Sequence, residues 1–525
     1  MINIKNILPA VCLLTASSAM AQGAFDLYSI SQTDLKGTAR FMSMGGAFGA
    51  LGADLSVLNQ NPGGIGVYRS SEIGATFGGA FRNTAVADSH WKEKQFNFDN
   101  IAYVGTFRTG NETTPSFSWG FSYTKAVDFN RHYSGTMAGI SNSMTNYIAD
   151  KTAGWTTSDL GAVQGGYDPY YSSNAPWISI LGYNSYLINP QAGSSDHYDG
   201  LYKNGSSGYG EMEVQESGHV NEYSLSLGGN VKNKVFWGAT VGITDLDYSQ
   251  YIYYGESLNN SYAPYEATSG DVQVGEGNAS WGMENTLRMT GTGVNFKLGV
   301  IVKPTNELRF GLAFHTPTFY EIKSNYFART SYGFSSTESD VRKDISGTAD
   351  TNEGYEGETT FNARTPWKFI ASGAAVVGGR GIISLDYERV MYNGMRTLYN
   401  GREDYDVAEN VKTTFKGSNI VRVGAEYKVT PQFSLRAGYS YQSSPINSDQ
   451  STDATAGTIL SYSLDNSIQH YTAGIGYRHK AFYIDMAYVR TNRQSEFHGF
   501  CEANAPVVDV KDTNNEIAVS LGFKF

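Results

Sequence analysis

The final nine residues alternate apolar side chains (Ile517, Val519, Leu521, Phe523, Phe525) with small or polar ones (Ala518, Ser520, Gly522, Lys524) and stop on an aromatic. A period of two puts the first set on one face of a strand and the second on the other, so the chain closes on a strand that meets an apolar medium and water at once. At the opposite end, Lys5, the apolar run from Ile7 to Ala16 and the small-residue site Ala19-Met20-Ala21 before Gln22 have the layout of a cleaved export signal over residues 1–21. Export combined with an amphipathic closing strand predicts a β-barrel of the bacterial outer membrane.

No stretch after the signal approaches the roughly 18 unbroken apolar residues of a membrane helix, so strands must do the crossing. The 37 Tyr, 27 Phe and 59 Gly among 525 residues, with 17% charged, suit aromatic girdles and close barrel packing. A net charge of −11, more negative still once Lys5 leaves with the signal, argues against a nucleic-acid partner. Cys12 also leaves with the signal; Cys501 then stands alone and no internal disulfide is possible.

Alternation predicts about fourteen spanning strands, near 72–82, 97–108, 116–127, 221–231, 235–255, 282–302, 308–325, 359–377, 381–395, 413–429, 433–443, 467–478, 482–493 and 515–525. Their connections alternate in length. Short ones carry turn residues, such as Thr109-Gly110-Asn111, Lys232-Asn233-Lys234, Val377-Gly378-Gly379 and Thr430-Pro431-Gln432, and long ones separate every other pair, the longest from about Asp128 to Val220. Short periplasmic turns and long outer loops are the habit of an outer-membrane barrel. Parity turns Phe433, Leu435, Ala437, Tyr439 and Tyr441 to lipid and Arg436 to the lumen. The same count places Arg309, His315, Asp386, Glu388, Arg422, Glu426 and Lys428 inside, with Glu426 facing Arg436 across the Pro431 turn.

Residues 22–71 do not read as strands. They hold Met44-Gly45-Gly46-Ala47, then Asp54, a candidate helix start, and Asn61-Pro62-Gly63-Gly64, a forced turn. About fifty such residues ahead of a barrel fit inside it as a plug. These motifs resemble the amino-terminal hatch of the FadL/TodX family of outer-membrane transporters, where an Asn-Pro-Ala turn leads into the first strand; here Gly63 replaces the alanine. Leu308 to Pro317 resembles the family's strand opening onto an outer loop. The resemblance implies a fourteen-stranded antiparallel barrel over 72–525 with a hatch over 22–71 built on Met44, Gly45, Gly46, Asp54, Asn61, Pro62, Gly63 and Gly64. It also implies passive uptake of hydrophobic molecules, fatty-acid-like or aromatic, with sideways exit into the bilayer through a gap in the wall.

Trp155, Trp177 and Tyr183 belong to an aromatic cluster in the longest loop that reads either as a capture surface or as packing of a lid. The lumenal cations Arg309 and Arg422 are candidates to receive an anionic head group, or to pair across strands. No catalytic residues are expected: the eight histidines are scattered, the neighbours Asp88-Ser89-His90 and Asp196-His197 fall in predicted loops, and CxxC, HExxH and phosphate-loop motifs are absent. No cofactor and no metal are expected. The expected partners are membrane lipid, lipopolysaccharide and a hydrophobic small molecule, with the protein a monomer. Two alternatives stay open: an accessory barrel of the PorV type that binds secreted proteins, and haem uptake through a loop histidine such as His132, His197 or His498.

Overall fold

The computed structural model describes residues 23–163, 166–447, 457–502 and 504–525. The signal predicted over 1–21 lies outside them. Fourteen strands form one antiparallel sheet that closes on itself. They are β1 (Glu72–Val86), β2 (Ser89–Arg108), β3 (Ser116–Asp128, continued by Arg131–Ala138), β4 (Ser207–Val231), β5 (Val235–Ala267), β6 (Val272–Val302) and β7 (Leu308–His315 and Phe319–Ser336). The circuit goes on through β8 (Gly357–Arg364 and Lys368–Val377), β9 (Gly381–Val390 and Arg396–Tyr399), β10 (Ser418–Lys428), β11 (Phe433–Ser443), β12 (Tyr462–His479), β13 (Phe482–His498) and β14 (Val507–Lys524). The seam joins β1 to β14 from Glu72↔Lys524 to Val86↔Val510, so the apolar closing strand removes the barrel's last free edge.

Side-chain parity follows the alternation in the sequence. Phe433, Leu435, Tyr439 and Tyr441 are exposed on the outer wall, while Arg436, Ser440, Asp386, Glu388 and His315 are buried inside. On β5 the outward series Trp237, Val241 and Ile243 gives way to Asp245, which marks where the apolar band ends. Lys428 departs from its predicted lumenal place: it pairs with Ser434 at the last rung of β10 and is exposed at the rim.

Two outer connections are shorter than expected. β1 and β2 pair through to Val86↔Ser89, and β5 and β6 through to Glu266↔Val272, so the loops predicted at 83–96 and 256–281 are strand carried beyond the membrane. Above the bilayer both faces of the sheet meet water or protein, so Lys92-Glu93-Lys94-Gln95 carries no apolar period although its backbone is paired. Residues 413–417, expected in strand, instead end helix Tyr405–Thr414 and lead into β10.

The amino-terminal segment lies in the space the strands enclose. It contains α1 (Ala24–Ser31), α2 (Ala39–Ser43), α3 (Val57–Gln60) and a 3₁₀ turn over Pro62–Val67. Small residues on the inner wall let it in: a methyl group on Gly238 would come within 2.1 Å of the Pro62 carbonyl oxygen, and one on Gly438 within 2.2 Å of the Met44 carbonyl carbon. Around the circuit the segment meets β1 through Leu55 at Gly74, β4 through Ile65 at Gly228, β7 through Gly49 at Gly311 and β12 through Ser43 at Gly474.

Candidate functional site

The motifs of this segment fold as a set of locks. Thr38 caps α2 by accepting from the Phe41 N–H, and its hydroxyl donates to Asp54 at 2.8 Å, while Asp54 also accepts from the Ser56 N–H at 3.0 Å. Gly45 and Gly46 adopt φ of 63° and 75°, the left-handed region that favours glycine, and turn the chain against the backbone of Tyr439. Met44 is fully buried. Asn61 accepts from the Gly63 N–H at 3.0 Å and donates to the Gly49 carbonyl at 2.6 Å, so it closes the Pro62 turn and ties it to the preceding loop. The missing alanine has a steric reason: a Cβ at Gly63 would lie 2.9 Å from the Gly299 and Val300 backbone, and one at Gly64 would lie 2.8 Å from the Val57 side chain. The turn is held tightly against β6.

Ion pairs fasten this segment to the wall. Arg436 donates to Glu426 at 2.7 Å, the pairing predicted across the Pro431 turn, and also to Asp485 at 2.6 Å. Arg40 of α2 donates to the same Glu426 at 2.9 Å. The cross-strand pair is thus a buried network that includes α2, and removing one member strands the others' charge, at a cost of about 3–5 kcal/mol. Lys36, in the linker between α1 and α2, bonds Asp99 of β2 at 2.9 Å and Glu516 of β14 at 2.5 Å. Arg309, a predicted head-group ligand, donates instead to the Leu51 carbonyl at 2.5 Å and belongs to this anchoring set.

α1 occupies the outer half of the lumen. Phe25 stacks on Tyr462 at 4.6 Å, Tyr28 on Phe415 at 5.2 Å, and the Tyr28 hydroxyl donates to Asp465 at 2.7 Å. Between α1 above and α2–α3 below is a cavity of 190 Å³. Its apolar wall includes Ile30, Leu35, Val127, Tyr320, Ile370 and Ile420. Its charged wall holds Lys297 paired with Glu222, Arg422 paired with Glu388 at 2.7 Å, and Lys368, whose ammonium makes no hydrogen bond among the described residues. Arg422 keeps a second nitrogen, Nη1, buried without a partner. Arg422 is therefore the predicted lumenal cation that the cavity contains.

The wall beside this cavity is irregular across three neighbouring strands. Thr316-Pro317-Thr318 interrupts β7, Thr365-Pro366-Trp367 interrupts β8, and residues 391–395 interrupt β9. The two prolines face no ladder with an N–H. Side-chain hydroxyls substitute: the Thr318 N–H donates to the Thr365 hydroxyl at 2.8 Å, and the Phe296 N–H to the Thr316 hydroxyl at 3.0 Å. Opposite β6, His315↔Lys297 and Phe319↔Val294 differ by four residues on one strand and three on the other, which is a bulge. Thr316, Thr318, Thr365 and Pro366 line the cavity from inside. On the lipid side, Phe314 stacks against Trp367 and Phe369 at 5.1 Å each, beside a 670 Å³ apolar groove lined by Trp237, Leu298, Leu312 and Tyr387. The sequence carried a signal for this seam, a Thr-Pro step inside each of two consecutive apolar strands. The first resembles a strand opening onto an outer loop, but no loop follows: β7 resumes at Phe319 and runs to Ser336.

The long outer connection folds into a helical lid: α4 (Met144–Thr152), α5 (Thr157–Leu160), α6 (Pro169–Ser172) and α7 (Trp177–Asn184). Trp177 packs on Tyr170 at 5.0 Å and Tyr326 at 5.1 Å, Tyr183 on Tyr198 at 6.1 Å, and Trp155 lies against the same core, which includes the buried Ile178, Ile180 and Leu181. Tyr171 alone among the aromatics of α6 and α7 is largely exposed, at 74%. A buried carboxylate holds the lid down: Glu256 of β5 accepts from the Met144 N–H at 2.9 Å, the Tyr254 hydroxyl at 2.8 Å and the Ser143 hydroxyl. Burial raises its pKa from 4.5 to about 7, against the opposing effect of these donors. Among the described residues no group of three His, Cys, Asp or Glu could hold a metal ion.

Residues 225–515 match the model of the outer membrane protein transport family (OMPP1/FadL/TodX). The chain belongs to that family. It is an outer-membrane transport protein and not an enzyme. A FadL homologue of Pseudomonas aeruginosa shares the fold at 13% identity, over 94% of this chain and 99% of that one, with a TM-score of 0.54. The toluene transporter TodX of P. putida aligns at 12% identity over 94% and 99%, with a TM-score of 0.46, and the Ralstonia pickettii toluene transporter TbuX at 12% over 94% and 99%, with a TM-score of 0.45. No curated protein sequence matches the chain.

Proposed function

We propose that this family member carries hydrophobic molecules bearing an anionic or strongly polar head, fatty-acid-like or aromatic, passively across the outer membrane. The export signal over 1–21 is removed, residues 22–71 act as the hatch, and Trp155, Trp177 and Tyr183 shape the lid that the molecule meets first. The ligand then rests in the 190 Å³ cavity and leaves sideways at the Thr-Pro seam. What carries the reading is that cavity, with aliphatic walls, two underused cations and a boundary formed by the interrupted strands. A bare hydrocarbon would leave Lys368 and the Arg422 Nη1 desolvated and unmatched, whereas a carboxylate satisfies both.

Binding of radiolabelled decanoate to the protein in nanodiscs, with decane as competitor, tests this. Lys368→Met and Arg422→Met should each weaken decanoate binding about tenfold, the loss of one charge-assisted hydrogen bond, with the barrel still resisting heat in SDS. Parent and variants binding decanoate equally, or decane competing as well as unlabelled decanoate, would remove the head-group assignment.

A further inference from the structure

The end of the barrel that carries the chain's exit and the short turns is charged unlike the rest of the molecule. Arg108 flanks the first of these turns, Lys232 and Lys234 form the second, and Lys303 opens the third. Arg380 lies in the fourth, Lys428 borders the fifth, and Arg478 and Lys480 enclose the sixth. Arg69 and Lys524 flank the closing seam, where the Ser71 and Phe525 backbones bond each other at 3.0 Å. Against these ten cations stand two exposed acids, Glu112 and Glu307, and the buried Glu72 that pairs with Lys524, so the rim carries +7 while the whole chain carries −11, leaving −18 elsewhere.

Few of the rim cations are used by the protein itself: Lys303 bonds the Asn306 side chain at 3.2 Å and Arg478 lies over the Tyr483 ring. Lys524 pairs with Glu72 at 2.7 Å, but the other nine make no ion pair among the described residues. Internal pairing accounts for most of the lumenal charges and does not account for these. Their height in the membrane is fixed by their neighbours. Phe107, Trp237, Tyr427, Phe433, Phe482 and Phe525 are all exposed on the outer wall at the same end, and Phe107, Tyr427 and Phe525 directly adjoin Arg108, Lys428 and Lys524. An aromatic belt marks the boundary between hydrocarbon and head groups, so the cations extend into the head-group layer and just beyond.

We propose that this rim is a collar for anionic phospholipid head groups, of the phosphatidylglycerol kind, in the periplasmic leaflet. The distribution selects a membrane over a protein: every short turn and the seam supply a cation, whereas a soluble partner touching one side would leave the opposite turns unexplained. The sign selects anionic over zwitterionic lipid, because Lys and Arg at a membrane surface are drawn to its negative charge within about a Debye length. The collar resists vertical displacement of the barrel, and it does so independently of what the lumen transports.

Native mass spectrometry of the full-length barrel, extracted into detergent and mixed with equal amounts of phosphatidylglycerol and phosphatidylcholine of the same chain length, tests the collar. The parent should retain phosphatidylglycerol enriched on the order of fivefold, and raising the salt before transfer should erode the preference. The variant R108Q/K232Q/R380Q/K428Q/K480Q alters only exposed rim positions and should retain the two lipids in the mixing ratio, while still showing the gel-mobility shift of a folded barrel on heating. A parent without preference, or a variant that keeps it, overturns the proposal. So does a preference unchanged by salt. If the cations instead serve an acidic periplasmic protein, parent and variant will show the same lipid ratio, and the collar falls.

Discussion

Glu256 lies under the lid with no ion pair among the described residues, held only by neutral donors. Its folded pKa, about 7, stands above the ordinary 4.5, so between those values the folded lid binds a proton that the opened lid releases. Its contribution therefore favours the closed lid at low pH and is lost as pH rises from 4.5 through 7, on the order of 3 kcal/mol in all. Hydrogen exchange at the α4 amides, corrected for intrinsic rates, should show at least tenfold less protection at pH 8 than at pH 5, and Glu256→Gln should flatten the difference. Protection that rises with pH would show the sign to be wrong. Such a residue is invisible to strand parity, because Glu256 is one polar residue among many in a region expected to be a loop. Arg40 was illegible for a related reason: its partner Glu426 is 386 residues away, and only the closed barrel brings them together. The register of Glu426 and Arg436, by contrast, needed only a count of residues on either side of Pro431.

At the scale of elements, the interruptions in β7 and β8 separate two cavities, one inside with an aliphatic and a charged wall, the other apolar and outside. Each proline deletes an N–H at neighbouring points of adjacent strands, and threonine hydroxyls bridge the interruption. Pro317→Ala with Pro366→Ala returns both donors and lets the two strands run on as a regular ladder. The double variant should unfold at a higher temperature than the parent and take up labelled decanoate into cells several-fold more slowly. Unchanged uptake with raised stability would leave the seam as a structural irregularity only. The helical lid was the least legible element. Its helices have four to nine residues each, too short to show a helical period, and their aromatic cluster was compatible with either packing or capture.

For the whole molecule, the fourteen strands and the identity of nearly every turn could be read because a barrel wall imposes one rule on each strand, lipid on one face and lumen on the other. The rule lapses where the wall leaves the bilayer. That is why β5 and β6 continue for more than twenty residues beyond Ile243 and Val294, the outermost aliphatics of their lipid-facing band, without an alternation to announce it. The lumenal segment could be located from its small residues, but its fit could not: only the closed barrel shows that Gly63, where the resemblance has alanine, permits contact with β6. The central claim is that a ligand passes through the cavity below α1 and out across the Thr-Pro seam. Photolabelling in nanodiscs with decanoate carrying a diazirine near its tail, followed by peptide mapping, tests it most directly. The account predicts labels on Tyr320, Ile370 and Ile420 within the lumen and on Phe314, Trp367 and Phe369 outside, lost on competition with unlabelled decanoate. Labels confined to the lid and the rim, with none on β7 or β8, would contradict it.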